Sequence, residues 1–147
     1  MKDRIFLDTN ILVYLSDEGA EFHKIVKDTF QNVSKKYEIW ISRQVLREYA
    51  VVVSRKECVE KPLKPGEIND DIAKWEQLFM VIDETKEVTE NLKKLIAKYN
   101  LKGKRIHDAN IVAAMMKISI PLLLTFNVKD FKEFKEIQIM ELKNPQK

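Results

Sequence analysis

The chain has 147 residues, 45% hydrophobic and 33% charged, which suits one globular domain spanning residues 1–147 and excludes a fibrous or low-complexity chain. Lysine and arginine number 26 against 23 acids, a net charge of +3 that permits contact with a polyanion but lacks the basic stripe that would demand one. The lone Cys58 excludes an intramolecular disulfide and a thiolate cluster, and only three apolar residues follow Met1-Lys2-Asp3-Arg4, too few for a signal segment or membrane span; a reducing, cytoplasmic setting is expected.

Along the chain, short β-rich apolar runs alternate with longer helical patterns. Strands are predicted near Arg4–Leu7, Glu38–Ile41, Phe79–Ile82, Pro121–Leu124 and Ile137–Met140. Helices are predicted over about Asn10–Ser16, Glu21–Lys35, Arg43–Lys56, Glu67–Gln77, Glu84–Tyr99 and Ile106–Ile118. This is the pattern of stacked βαβ units, so the fold class is α/β, a three-layer α/β/α sandwich around a mainly parallel sheet. Gly19, Gly66 and Gly103 fall between helical patterns, and none makes a phosphate loop. The segment from Lys61 to Gly66 is the clearest linker.

Three strand-then-helix units each carry an acid at a comparable place. The first, Ile5-Phe6-Leu7-Asp8-Thr9-Asn10-Ile11-Leu12, ends an apolar strand in Asp8, at the strand end where parallel sheets collect ligands. The competing role for Asp8 is that of a helix N-cap. In the second unit, Val45, Leu46, Tyr49, Val52 and Val53 share one arc of a helix, and Glu48 lies on its border, able to lean over the buried edge. Its competing role is a solvated glutamate paired with Arg47 or Arg55. The third unit, Ile106-His107-Asp108-Ala109-Asn110-Ile111-Val112-Ala113-Ala114, is apolar nearly all round after its first turn, so Asp108 opens a buried helix. A carboxylate there needs a partner, either backbone donors or a cation. With His23 and His107 in separate helical patterns, a zinc site is not expected.

The ordered set of Phe6-Leu7-Asp8-Thr9-Asn10, Glu48, His107-Asp108-Ala109 and Leu123-Leu124-Thr125-Phe126-Asn127-Val128-Lys129-Asp130 resembles the PIN domain, and within it the small VapC-type toxin ribonucleases, over Ile5 to about Met140. The resemblance implies a ribonuclease in which Asp8, Glu48 and Asp108 hold Mg²⁺ or Mn²⁺, with RNA as substrate, a small antitoxin protein as partner, a homodimer, and products with a 5′-phosphate and a 3′-hydroxyl. The family often carries a fourth acid two residues after the threonine; here that place holds Asn127, a candidate catalytic residue that can offer a carbonyl or orient a water but adds no charge, and Asp130 follows three residues on. All-oxygen ligands favour hard cations over zinc or copper. Thr9 and Thr125 are candidate hydroxyl donors to water or phosphate, Asp130 is a possible accessory, and Lys102, Lys104 and Arg105 are placed to meet an RNA backbone. Phe22, Ile25, Val26 and Phe30 are candidates for the dimer contact, with core packing as the alternative.

Other function classes fit less well. A dinucleotide-binding domain wants glycines in the first turn, and a haloacid dehalogenase-type phosphatase wants a second aspartate at the place of Asn10. A housekeeping RNA-processing nuclease, or a non-catalytic RNA-binding or scaffold protein on the same fold, stands as the alternative.

Overall fold

A computed structural model describes residues 2–142; the outer ends of the expected 1–147 domain lie outside it. Five strands, β1 (Asp3–Leu7), β2 (Tyr37–Ser42), β3 (Met80–Ile82), β4 (Leu122–Thr125) and β5 (Gln138–Glu141), pair in the order β3-β2-β1-β4-β5. Every neighbouring pair is parallel, so the sheet expected to be mainly parallel is wholly so among the described residues. The helices are α1 (Thr9–Ser16), α2 (His23–Lys36), α3 (Arg43–Val53), α4 (Pro65–Leu78), α5 (Lys86–Tyr99), α6 (Arg105–Lys117) and α7 (Val128–Phe131). They flank the sheet in the α/β/α arrangement that the alternating pattern predicts, α1 packing on α2 and α3, and α5 on α6.

The sheet order decides where chemistry can occur. From the central β1, the chain adds β2 and β3 on one side and then crosses back to add β4 and β5 on the other. The order therefore reverses between β1 and β4, and in a parallel sheet the C-terminal ends of two such strands open a crevice. The interior strands are apolar enough to be buried on both faces: Ile5, Phe6, Leu7, Ile41, Leu123 and Leu124 are wholly inaccessible to solvent. Ile111, Val112, Ala113, Ala114 and Met115 are likewise buried, as the all-round apolar pattern of α6 requires. On α3, Val45, Leu46, Tyr49 and Val53 are buried and Val52 is half-buried, so the predicted arc faces the core and Glu48 sits at its edge.

Three expectations change. Helix α4 begins at Pro65 instead of Glu67, because Pro65 brings the φ of a first helical turn and the Glu67 carboxylate accepts the Lys64 N–H at 2.9 Å; Gly66 therefore lies inside a helix. Helix α3 stops at Val53, short of Lys56, where the Leu63 N–H donates to the Val53 carbonyl at 2.8 Å and turns the chain away. The four-residue α7 was not predicted, since one turn carries no readable period. Of the residues with two expected roles, Val26 is buried, Phe22 packs against Tyr14 and Phe126, Phe30 meets Phe79 edge-on, and Ile25 is half-buried on the same core, as the core-packing alternative has it.

Candidate active site

At the crevice between β1 and β4, Asp8 follows the last residue of β1, and its N–H donates to the Leu124 carbonyl at 3.1 Å. It caps α1, with Oδ1 accepting the Thr9 N–H at 2.8 Å. The competing N-cap role is thus real, but it uses only one oxygen. Oδ2 accepts the Thr125 hydroxyl at 2.7 Å and the Asn10 amide at 3.2 Å. Thr125 closes β4 and is itself inaccessible, so the two strand ends are tied together through a buried hydroxyl. The short apolar runs stop in polar residues here because this is where the sheet opens.

Glu48 reaches the same place from α3. Its Oε1 accepts the Thr9 hydroxyl at 2.9 Å and its Oε2 accepts the Gln44 amide at 3.2 Å. The expected alternative, a salt-bridged surface glutamate, does not occur: Arg47 pairs with Glu84 and Arg55 with Glu57. Among the described residues, none of Asp8, Glu48 and Asp108 takes part in an ion pair. Asp108 stands in the first turn of α6, half-buried. All three acids line one cleft of about 730 Å³, which also takes in Asn127, Lys104 and His107. Val13, Tyr14, Val51 and Val52 form its apolar wall.

Burial raises the carboxyls, and crowding adds to it. Burial pushes Asp8 up from 3.8 to about 6, against the lowering bonds from Thr125 and the Thr9 N–H, with Glu48 and Asp130 adding repulsion. Burial likewise raises Asp108 to about 7, followed by repulsion from Asp130, Asp8 and Glu48, with Arg105 opposing. Among the described residues no three His, Cys, Asp or Glu side chains are gathered into a ready-made metal sphere. The acids nevertheless share a cleft, use only oxygen donors and raise one another's proton affinity, which is the chemistry of a set that fits a hard dication.

A pH effect follows for the metal-free chain. Folded carboxyls at about 6 and about 7 bind protons more tightly than unfolded ones at 3.8, so their contribution to stability is full below 3.8 and is lost as pH rises through 6 and 7. Denaturant midpoints measured in chelator should fall over that window, and Asp8→Asn should flatten the fall. An identical profile in Asp8→Asn would contradict it.

Several expected roles are redistributed. The Thr9 and Thr125 hydroxyls are spent on Glu48 and Asp8, so they position carboxylates instead of donating to water or phosphate. Arg105 turns to Glu133 and lies over the Phe134 ring at 5.6 Å; of the three basic residues only Lys104 lines the cleft, while Lys102 is exposed away from its lining. Asn127 is exposed at the cleft with its N–H donating to the Thr125 hydroxyl at 2.9 Å. Asp130 bears on the site through its charge, as the leading acid acting on Asp108. Sequence reasoning missed Gln44 and Asn110, whose amides bridge α3 and α6. The one available signal was the four-residue spacing that puts Gln44 on the same helix face as Glu48.

A profile of the PIN domain family matches residues 5–137. No curated protein sequence matches the chain. Among solved structures, VapBC2 from Rickettsia felis bound to a DNA fragment from its promoter is 20% identical, with a TM-score of 0.69, covering 95% of this chain and 98% of that one. VapC20 from Mycobacterium tuberculosis, a sarcin-ricin loop cleaving toxin, is 19% identical at 0.69, covering 88% and 95%. A toxin–antitoxin complex from Klebsiella pneumoniae is 22% identical at 0.66, covering 95% and 98%. At these identities the likeness is one of fold.

Proposed function

The chain belongs to the PIN domain family, and on that footing we propose that it is a Mg²⁺- or Mn²⁺-dependent ribonuclease, the toxin partner of a small antitoxin protein. The observation that carries this reading is the convergence of Asp8, Glu48 and Asp108, from three separate elements, on one cleft at the reversal point of the sheet. The toxin assignment is supported by the likeness to structures of VapBC and other toxin–antitoxin complexes.

Asp8, Glu48 and Asp108 are the residues that would hold the cation, which when bound would polarise the scissile phosphate and lower the pKa of an attacking water. The chain's own groups do the positioning. Thr125 and Asn10 orient Asp8, and Thr9 and Gln44 orient Glu48, so neither carboxylate is free to swing toward solvent. Lys104 at the rim offers a charge to an RNA phosphate, and the apolar wall of Val13, Tyr14, Val51 and Val52 offers a surface to an unstacked base.

The end groups of the products test the reaction class. Hydrolysis by an activated water should leave a 5′-phosphate and a 3′-hydroxyl, read by the ability of the downstream fragment to be ligated without prior phosphorylation. A 2′,3′-cyclic phosphate would mean attack by the RNA's own hydroxyl and would overturn the mechanism.

The fourth position gives a second test. Asn127 adds no charge, so Asn127→Asp should tighten Mn²⁺ binding in calorimetric titration. Asp130 acts on Asp108 through its charge. Asp130→Asn should therefore weaken binding by up to roughly fivefold, the size of an exposed charge interaction of at most about 1 kcal/mol. Affinity in Asp130→Asn equal to that of the parent protein would contradict it, and a loss as large as that in Asp8→Asn would make Asp130 a ligand.

A further inference from the structure

Gln44 lies in the first turn of α3, exposes only 2% of its surface, and uses every hydrogen-bonding atom of its amide. Its Nε2 donates to the His107 carbonyl at 2.8 Å and to Glu48 Oε2 at 3.2 Å. Its Oε1 accepts from the Asn110 amide at 2.7 Å, and Asn110 donates its other hydrogen to Glu84 at 2.9 Å. The partners fix the sense of the amide: turned over, its oxygen would face a carbonyl and a carboxylate, and its nitrogen a second donor.

These bonds grip α6 on both sides of Asp108, at the carbonyl immediately before it and at the side chain two residues after it. The same amide holds Glu48 one helical turn along α3. Two acids that repel each other, one on each helix, are thus tied to a common buried group. A satisfied core glutamine with no bearing on the site could bond any neighbouring backbone; this one bonds one acid directly and brackets the other.

We propose that Gln44 is a positioning residue that sets the separation between Glu48 and Asp108 by clamping α3 to the first turn of α6. The inference rests on the metal-dependent nuclease reading for its consequences in activity, but the clamp itself is a property of the metal-free chain.

Gln44→Met keeps the length and volume of the side chain while removing its donors and acceptor. Hydrogen exchange of the metal-free protein, followed by mass spectrometry, should show faster exchange in the variant over 104–111 and unchanged exchange over the β-sheet. In the nuclease, Mn²⁺ affinity by calorimetry should fall by about tenfold or more, as second-sphere losses do. The kcat per folded molecule should fall with it while KM for RNA holds; because a smaller folded fraction alone would also lower the apparent kcat at constant KM, the folded fraction is fixed by chemical denaturation of the same preparation. Asn110→Ala, at the more exposed end of the clamp, should give the same changes at smaller size and serves if Gln44→Met does not fold. Unchanged exchange over 104–111 in a folded variant overturns the clamp. Faster exchange with Mn²⁺ affinity and kcat like those of the parent overturns its role in the site. If the parent protein neither binds Mn²⁺ nor cleaves RNA, the nuclease reading fails, and the exchange arm still decides the clamp.

Discussion

Asp8→Asn is expected to cut kcat/KM for RNA by at least about a thousandfold, roughly 4 kcal/mol of transition-state stabilisation, while leaving the metal-free protein folded and more stable. The two effects have one cause. Asp8 is 6% exposed and lies beside Glu48, so its charge is costly unless a cation is bound. Abolishing a carboxylate raised from 3.8 to about 6 removes a native-state cost on the order of 3 kcal/mol near neutral pH. The gain will be smaller than that, because the new amide must present its NH₂ either to the Thr9 N–H or to the Asn10 and Thr125 side of the site. Asn10 is half-buried and can turn aside, so the second orientation is the one expected. Asp108→Asn should lose activity to a similar degree and also gain stability, since burial and its acidic neighbours raise its carboxyl to about 7, with the gain reduced by solvent screening because Asp108 is only half-buried. Activity and chemical denaturation measured on the same preparations check both halves. A variant that cleaves RNA normally, or that is inactive because it does not fold, would contradict the expectation.

Chelation should have an effect of comparable size. EDTA is expected to stop cleavage, and excess Mg²⁺ or Mn²⁺ to restore it, because all-oxygen donors suit hard cations. Ca²⁺ should not restore it: its longer bonds and higher coordination number hold a phosphate and a water too loosely for in-line attack. Initial rates on a labelled RNA in chelator, then after each metal is added back, separate these outcomes. Full activity in chelator would sink metal dependence outright.

The parts of the site legible in the sequence are those that local pattern controls. Asp8 stands out because an apolar strand stops in a polar residue, Glu48 because the arc from Val45 to Val53 fixes which way α3 faces, and Asp108 because it opens a helix that is apolar all round. The strand and helix types follow from the same patterns. What was not legible depends on contacts between distant residues. The order β3-β2-β1-β4-β5 leaves no mark in any one segment, although it is what brings Thr125 to Asp8 across 117 residues. A threonine advertises a donor but not its partner, so Thr9 and Thr125 read as groups free to bind phosphate when both are committed to carboxylates. Gln44 gives no sign that its amide spans to His107, 63 residues away. Phe22 and Phe30 read as surplus apolar surface because the aromatic neighbours that cover them, Phe126 and Phe79, lie far along the chain.

The most direct test of a shared cation site is calorimetric titration of Mn²⁺ into the parent protein and into Asp8→Asn, Glu48→Gln and Asp108→Asn, with Asp70→Asn on the exposed face of α4 as control. Convergence predicts binding by the parent and the control that each of the three site substitutions weakens by at least about tenfold, since each removes a charged ligand from the same ion. Equal affinity in the parent and all three site variants would contradict it.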